Sequence, residues 1–245
     1  MDYIHINCDL GEGGNRDSEL MQMISACNIA CGGHAGTLES MRETVALALE
    51  NNVEIGAHPS YPDKENFGRS SFKMEPEELK RSLVAQILSL KQITESEGGI
   101  LTHIKPHGAL YNDACRDENI AGIIINAIEE FEEDLPLYAP ENSFISRLAK
   151  DRINVIFEAF ADRNYEENYR LVSRQNSNAL ITKKEDVFDH LFEMFSQGKI
   201  ITLNGEKIPS KATTFCVHSD TANAVEILVF LHEKLREKNI EILKN

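Results

Sequence analysis

The chain has 245 residues, 42% of them hydrophobic, which is enough for one large α/β domain and excludes a collagen-like, disordered or disulfide-stapled protein. The net charge of −15 is spread along the sequence and the 25 Lys and Arg residues form no basic stripe, so we expect no nucleic-acid partner. The first twenty residues lack the apolar core of a signal peptide, and no later stretch approaches ~18 apolar residues, which predicts a soluble cytoplasmic protein without membrane contact. Five cysteines, with no C-x-x-C pair, predict reduced and mostly buried thiols.

Short β-prone runs alternate with longer segments of helical period, the pattern of βα units around a parallel sheet. We therefore predict an α/β fold, a seven-stranded parallel β/α barrel of the TIM-barrel type, with an open doubly wound sheet as the alternative. The predicted strands are Tyr3 to Cys8, Cys27 to Cys31, Val53 to Ala57, Ile100 to Ile104, Leu135 to Ala139, Ile153 to Phe157 and Thr213 to Val217.

Apolar residues at helical spacing predict amphipathic helices between the strands. Pro76 is expected in a first helical turn, and Thr182 with Glu185 has the spacing of a capping box. A turn at Asn204-Gly205 predicts a small β insertion near 179–208 within a single domain that spans 1–245. The helical stripes are Leu38, Met41, Val45 and Ala48; Leu79, Leu83, Ile87 and Leu90; Ile120, Ile124, Ile128 and Phe131; and Ala224, Leu228, Leu231 and Leu235.

Several predicted strands run directly into small polar clusters near glycines, at the edge where parallel α/β folds build their sites. The first is followed by Asp9 and Glu12, a carboxylate pair that can bind a metal or act as acid and base. A turn-capping Asp9 with a solvated Glu12 explains that pair equally well. The second ends in a glycine-rich stretch with His34, and the third in His58 beside two prolines. Taken singly, either histidine is more often a structural residue.

The fourth strand predicts Lys105 on the same face as His103, and His107 follows the strand. A buried lysine needs an anionic partner, so the structural explanation of Lys105 is an ion pair with a barrel carboxylate. Asp220 has its own structural explanation, as the cap of the last helix. Histidines or acids at five separate strand ends indicate an enzyme. The later strand ends contribute Glu158, Asp162, Arg163, His218 and Asp220.

Three common motifs are missing from the chain: the G-x-x-x-x-G-K-[ST] phosphate loop, the G-x-G-x-x-G dinucleotide turn and the G-x-S-x-G nucleophile elbow. The first two hold phosphates, and the third presents a nucleophilic serine. Any nucleotide is therefore expected to bind by another device.

Six multi-residue motifs follow one another from Asn7 to Thr221, and on them the chain resembles the LamB/YcsF family. They are Asn-Cys-Asp-Leu-Gly-Glu, Asn-Ile-Ala-Cys-Gly-x-His-Ala-Gly, Gly-Ala-His-Pro-Ser-Tyr-Pro-Asp, Lys-Pro-His-Gly-Ala-Leu-Tyr-Asn, Phe-Ala-Asp-Arg-x-Tyr and Cys-Val-His-x-Asp-Thr. The resemblance implies a barrel akin to the glycoside hydrolase and deacetylase superfamily. It further implies the role of the A subunit in an ATP-dependent 5-oxoprolinase, which converts 5-oxo-L-proline to L-glutamate together with B and C subunits.

The chain departs from the family pattern in four places. A Ser-Phe-Gly-like stretch after Glu12 is shortened to Gly13-Gly14-Asn15, and a usual Phe is Gly33, so the pocket is expected to be wider or differently closed. The fifth strand end, 140–143, reads Pro-Glu-Asn-Ser instead of a small-residue turn, and Ser219 stands where Gly is common. These changes bear on substrate choice more than on fold.

The expected reaction activates a lactam by phosphorylating its amide oxygen, after which water attacks with help from a base and a cation. Asp9, His58 and His107 are the candidate bases, and Lys105 and Arg163 the candidate anion-stabilisers. No residue is assigned to a resident metal, although a divalent cation such as Mg²⁺ fits the use of ATP. The assigned catalytic residues are Asp9, Glu12, His58, Lys105, His107 and Asp162, and the assigned substrate-binding residues are Asn7, His34, Tyr111, Glu158, Arg163, His218 and Asp220.

Two rival functions stay open at the level of sequence. In one, Asp9, His34 and His58 bind a divalent ion in a hydrolase or deacetylase of a small or carbohydrate substrate. In the other, the chain is a subunit that binds a small acid without chemistry of its own. The oligomeric state and the division of ATP and lactam chemistry among subunits are not determined by the sequence.

Overall fold

The computed structural model describes residues 1–244, which contain ten strands and eight helices. The strands are β1 (Asp2–Leu10), β2 (Ala26–Ala30), β3 (Glu54–His58), β4 (Leu101–Ile104), β5 (Leu137–Ala139), β6 (Val155–Phe160), β7 (Lys199–Ile201), β8 (Lys207–Pro209), β9 (Thr214–Cys216) and β10 (Ile240–Ile242). The helices are α1 (Asp17–Met21), α2 (Leu38–Glu50), α3 (Pro76–Ser96), α4 (Gly108–Ala114), α5 (Glu118–Ile128), α6 (Phe144–Ala149), α7 (Lys184–Gln197) and α8 (Ala224–Arg236).

Seven of the strands form a closed barrel. β1 to β6 pair in chain order, and β6 then pairs with β9, which places Glu158 opposite Thr214. β9 returns to β1 with Cys216 opposite Asn7, and every one of these pairings is parallel. The predicted seven-stranded β/α barrel is therefore confirmed, and the open doubly wound sheet is excluded. Each predicted strand overlaps an observed one.

The helices begin where local chemistry allows it. Thr37 caps α2 with a capping box. Its side chain accepts a hydrogen bond from the Ser40 amide, and the Ser40 hydroxyl accepts one from the Thr37 amide. Pro76 is the first residue of α3, as predicted, where its missing N–H costs nothing. Within the described residues, no helix is both long enough and apolar enough to cross a membrane.

The structure corrects three details of the helix predictions. Thr182 forms no capping box, because α7 is preceded by Lys183, whose side chain makes no capping bond. Leu38, the first residue of α2, is 68% exposed and lies outside the buried face of that helix. Phe131 lies beyond the end of α5 and packs only partly against the core.

Three strands, β7, β8 and β10, lie outside the barrel wall. β7 and β8 form an antiparallel hairpin, with Ile200 opposite Ile208. β10 pairs with the first residues of β1, placing Ile240 opposite Asp2. No separate strand was predicted at β10, because three residues that follow a helix carry too little alternation to be recognised.

The two faces of the barrel wall differ in polarity. Along β1, Ile4, Ile6, Cys8 and Leu10 belong to the apolar core, which lies between the strands and the helices. The alternate residues of β1 form hydrogen bonds to side chains of other barrel strands, because successive side chains of a strand point to opposite faces. The barrel interior is therefore polar. All five cysteines are free thiols, as predicted, and four of them are buried.

Candidate active site at the barrel mouth

Most of the predicted site residues meet at the carboxyl ends of the barrel strands, an edge called the mouth here. They come from three strands, β1, β3 and β6, and from the turns that follow β1, β2 and β4. Two linked groups form: a lysine network of Asn7, Asp9, Lys105 and Glu158, and a histidine cluster of Glu12, His34, His58 and His107. All are buried except Glu12, which is partly exposed.

Lys105 is the centre of the lysine network. Its Nζ donates to Asn7 Oδ1 at 3.1 Å and to Asp9 Oδ1 at 2.9 Å, and lies 2.8 Å from Glu158 Oε1. The ion pair expected for a buried lysine is therefore present, with two carboxylates instead of one. One ammonium therefore faces two carboxyl groups inside the barrel.

The charges of the network hold one another in place. Burial by itself would lower the pKa of Lys105, but the neighbouring carboxylates of Asp9 and Glu158 raise it well above its usual value. Burial would likewise raise the pKa of Asp9, but the neighbouring His58 ring and Lys105 ammonium hold it well below its usual value. Both groups are ionised at neutral pH. Asp9 is consequently a weak proton acceptor and a strong source of negative potential.

A layer of amides and rings supports the network from inside the barrel. The Asn28 Nδ2 donates to Asn7 Oδ1 at 2.8 Å and to Asp9 Oδ1 at 2.7 Å. His103 Nε2 in turn donates to Asn28 Oδ1 at 2.8 Å. Gly56 leaves room for that imidazole, since a Cβ at Gly56 would lie 2.0 Å from His103 Nε2.

The histidine cluster surrounds the carboxylate of Glu12. Glu12 Oε1 lies 2.9 Å from His34 Nε2, 3.3 Å from His107 Nδ1 and 3.9 Å from His58 Nε2. The rings of His34 and His107 are stacked, with centroids 3.6 Å apart. The His58 Nε2 also lies 3.4 Å from Asp9 Oδ2, which links the cluster to the lysine network.

Main-chain carbonyls orient two of the imidazoles. His58 Nδ1 donates to the Lys105 carbonyl at 2.7 Å, and His107 Nε2 donates to the Phe67 carbonyl at 3.0 Å. Phe67 has a φ of 55°, an uncommon value for a residue with a side chain, and such strain is typical of functional sites. The strained backbone presents the carbonyl that fixes His107.

The burial of the cluster sets its protonation. The pKa of Glu12, which burial alone would raise, is held well below its usual value by the contacts of its carboxylate with the rings of His107 and His34. Desolvation lowers the pKa of His34 to about 4 and also lowers the pKa of His107. At neutral pH the cluster therefore combines an ionised carboxylate with neutral imidazoles at His34 and His107. Such a set can accept protons or bind a cation.

Asp162 lies beside the mouth and orients His218. Its Oδ1 accepts from His218 Nδ1 at 2.8 Å, and its Oδ2 accepts from the His218 amide at 2.9 Å and from Thr221 Oγ1 at 2.8 Å. Burial would raise the pKa of Asp162, but the charge and hydrogen bonds of His218 lower it to about 2. The His218 ring stacks on Phe160, 5.2 Å away.

The remaining predicted residues occupy different environments. Tyr111 joins the lysine network, donating to Glu158 Oε2 at 2.9 Å. Arg163 donates instead to the carbonyls of Val172 and Ala179, at 2.8 and 3.3 Å, and so supports the loop after β6. Asp220 is not the cap of α8, because the residue before that helix is Asn223.

Asp220 holds two arginines that were not predicted as site residues. Arg69 and Arg174 both donate to its Oδ2, the latter at 2.9 Å. Arg69 follows Gly68, which packs against the histidine cluster. A Cβ at Gly68 would lie 2.9 Å from the His34 Cβ and 3.1 Å from the His107 ring. The two arginines are partly exposed and stand at the rim of the mouth. The Phe67-Gly68-Arg69 stretch was visible in the sequence, but Arg174 lies in a loop with no periodic signal.

Gly33, which stands where the family usually has Phe, packs closely against Ser60 and Gln86. A Cβ at Gly33 would lie 2.3 Å from Ser60 Oγ and 2.4 Å from Gln86 Oε1. Gln86 fills this space by accepting from the Ser60 amide at 3.0 Å and donating to the Ser60 carbonyl at 2.9 Å. The wall beside Gly33 is therefore closed by a side chain from α3.

A closed parallel β/α barrel that buries ionised carboxylates beside neutral imidazoles at its mouth has the construction of an enzyme with a hydrolytic or proton-transfer site. The chain belongs to the LamB/YcsF family, whose family model matches residues 4–245.

Similar proteins match over almost the whole chain. The A subunit of a 5-oxoprolinase from Haemophilus influenzae is 37% identical over 243 residues, which covers 99% of each chain. The one from Pyrococcus horikoshii is 40% identical over 246 residues, covering 98% of this chain and 96% of that one. The crystal structure of a lactam utilization protein from Thermus thermophilus superposes with a TM-score of 0.93 at 33% identity, covering 99% and 100% of the two chains.

Proposed function

We propose that this chain is the A subunit of an ATP-dependent 5-oxoprolinase, which opens the lactam ring of 5-oxo-L-proline to give L-glutamate as ATP is hydrolysed. The observation that carries the proposal is the full-length similarity to 5-oxoprolinase A subunits from a bacterium and an archaeon. The mouth supports it, because the histidine cluster and the lysine network provide the groups that hydrolysis of an amide needs.

Opening a lactam requires three things: activation of water, stabilisation of negative charge on the amide oxygen, and a proton for the departing nitrogen. Transfer of a phosphoryl group from ATP to the amide oxygen answers the second requirement. Water then adds to the amide carbon, the C–N bond breaks to leave an acyl phosphate, and a second water hydrolyses that acyl phosphate to glutamate and phosphate. The histidine cluster supplies proton-accepting groups for the first, and an imidazole that has taken a proton can deliver it for the third. The proton taken from the attacking water therefore leaves on the amino group of glutamate, and the imidazole is neutral again.

The carboxylate of 5-oxoproline needs a cation, and the lysine ammonium is not free to provide one. Lys105 Nζ already contacts Asn7, Asp9 and Glu158 of the lysine network and the thiol of Cys216. Arg69 and Arg174 are the better candidates, because they share one carboxylate at the rim and each retains donors. We assign them to the substrate carboxylate in place of Arg163.

ATP and the partner subunits complete the proposal. The chain has no glycine-rich phosphate loop, so we assign nucleotide binding to a surface shared with the B and C subunits, with a divalent cation such as Mg²⁺ on the phosphates. The relatives are named as one lettered component of an enzyme, which supports the existence of such partners.

The test is release of glutamate from 5-oxoproline by this chain alone and by its mixture with the B and C subunits, each with and without ATP. We expect release only in the mixture that contains ATP. A Glu12→Gln mixture should lose that activity, while a Lys91→Gln mixture should keep it, because Lys91 pairs with Glu133 on the surface. No release from any mixture would contradict the proposal.

A further inference from the structure

The hydrogen bonds of the histidine cluster determine which ring nitrogens carry protons. A carbonyl oxygen only accepts, so His58 Nδ1 and His107 Nε2 must both be protonated donors. In the neutral rings, the lone pairs then belong to His58 Nε2 and His107 Nδ1. These two atoms face each other at a distance of 2.9 Å.

Two facing lone pairs repel unless something positive lies between them. A proton shared by the two nitrogens would satisfy them, but it would leave the carboxylate of Glu12 without a positive partner. Glu12 Oε1 lies 3.3 Å from His107 Nδ1 and 3.9 Å from His58 Nε2. Three electron-pair donors on three different elements therefore surround one small region. A single cation in that region satisfies all three.

We infer that Glu12, His58 and His107 bind one divalent ion of the zinc class at the barrel mouth. Two ligand atoms that each lie about 2.0–2.1 Å from a tetrahedral ion are separated by about 3.4 Å. The three distances between the proposed ligand atoms are 2.9, 3.3 and 3.9 Å, which spread around that value. The inference does not depend on the identity of the substrate.

The donor set selects the kind of ion. Imidazole nitrogens favour zinc and its neighbours in the transition series, whereas Mg²⁺ prefers a shell of oxygens. The carbonyl bonds of His58 and His107 match the outer-shell bonds that orient histidine ligands at metal sites. Three protein ligands leave a coordination position open, as in catalytic zinc sites.

His34 has a different place in this arrangement. It reaches the ionised Glu12 through Nε2, while its buried Nδ1 has no hydrogen-bond partner. We assign it as a positioning residue that orients the Glu12 carboxylate. A second close group of potential ligands, Asp9, Cys216 and His218, is a poorer site, because the ammonium of Lys105 already lies 2.9 Å from Asp9 and 3.2 Å from Cys216.

The test measures binding of Zn²⁺ to the full chain, without partner subunits or ATP. A negative result would therefore contradict the metal site and leave the proposed 5-oxoprolinase function untouched. Protein stripped with a chelator is titrated with Zn²⁺, and the bound metal is counted by elemental analysis. We expect one equivalent, with affinity weakened about 100-fold or more in Glu12→Gln and His58→Gln, and about 10–100-fold in His34→Gln. His232→Gln is the matched control, because His232 also bonds a main-chain carbonyl but lies outside the mouth, and it should bind as the wild type does.

Thermal unfolding keeps the test valid if a variant is unstable. Zn²⁺ should raise the melting temperature of the wild type and of His232→Gln but not that of Glu12→Gln. Three outcomes would overturn the inference: no uptake of Zn²⁺, equal uptake by Glu12→Gln and the wild type, or displacement of Zn²⁺ by an equal concentration of Mg²⁺. The first outcome would favour a proton shared by His58 and His107.

Discussion

Glu158 and Lys105 approach to 2.8 Å across the inside of the barrel, and Tyr111 donates to the other oxygen of the same carboxylate. Neither partner of this ion pair can reach bulk water, since both side chains are almost fully buried. Replacing only one partner of such a pair strongly lowers the free energy of unfolding, because the charge that remains is buried and unpaired. The lysine network therefore couples the stability of the fold to the site.

The first prediction concerns Lys105→Met. Removing the ammonium leaves Asp9 and Glu158 without their counter-ion, which should reduce the free energy of unfolding by about 3–5 kcal/mol. The double variant Lys105→Met/Glu158→Gln should recover part of that loss. Urea unfolding measures both, with Lys91→Met as a surface control expected to change by about 1 kcal/mol or less. Wild-type stability in Lys105→Met would contradict the ion-pair argument.

A second prediction follows from Asp162. Its pKa of about 2 in the folded chain lies below the ordinary value of 3.8, so its stabilising contribution is complete above pH 4 and is lost as the pH falls towards 2. Asp162→Asn should therefore be about 2 kcal/mol less stable than the wild type at pH 6, with a difference that shrinks below pH 4. Urea unfolding across this range checks the trend. The exposed Asp134→Asn is the surface control, and its stability at pH 6 should differ from that of the wild type by about 0.5 kcal/mol or less.

Gly56 provides a packing prediction. Gly56→Ala places a methyl group 2.0 Å from the His103 ring, and the overlap should cost about 1–3 kcal/mol of unfolding free energy. The matched control is Gly122→Ala in α5, where the nearest atom is 3.8 Å away and alanine should gain about 0.5–1 kcal/mol. Thermal unfolding of the two variants should shift in opposite directions. Equal shifts would show that the His103 ring is free to move.

The wall beside Gly33 can be tested by a double-mutant cycle. Gly33→Ala should destabilise the chain because its Cβ meets Ser60 and Gln86, and Gln86→Ala should cost about 1–3 kcal/mol by leaving the buried Ser60 amide unpaired. The double variant should lose less than the sum of the two, because one change makes room for the other. Additive losses would indicate that Gln86 does not define this wall.

The rim arginines predict a kinetic effect. If Arg174 binds the substrate carboxylate, Arg174→Gln should raise the KM for 5-oxoproline about 10-fold in the reconstituted mixture and leave kcat nearly unchanged. The control is Arg152→Gln, since Arg152 pairs with Glu129 away from the mouth. An unchanged KM would remove Arg174 from substrate binding.

The fold could be predicted from the sequence because the patterns that define its strands and helices are local. Seven β-prone runs alternate with amphipathic stretches, and closure into a barrel follows from that order. The short β10 and the uncapped start of α7 were not accessible, because neither carries a strong local pattern.

The predicted site was accessible only as a set of residue types near strand ends. The sequence placed Asp9, Lys105 and His107 at strand ends without showing which of them meet; in the structure Asp9 contacts Lys105, and His107 contacts Glu12. It could not reveal that Arg163 turns towards carbonyls of its own loop, or that Arg174 reaches Asp220 from a loop 46 residues earlier. Those contacts depend on how irregular segments fold back, which periodicity does not encode.

The turns after β3 and β4 are joined by three hydrogen bonds. The amide and the ring of His107 donate to the carbonyls of Pro59 and Phe67, and the Ala109 amide donates to the carbonyl of Gly68. The two turns must therefore move as one body, and a shift of Phe67 would rotate the His107 ring with it. Any closure over a bound substrate is therefore expected of the segments 163–182 and 217–223, where Asp220 accepts from Arg174 and also from Arg69 of the β3 turn.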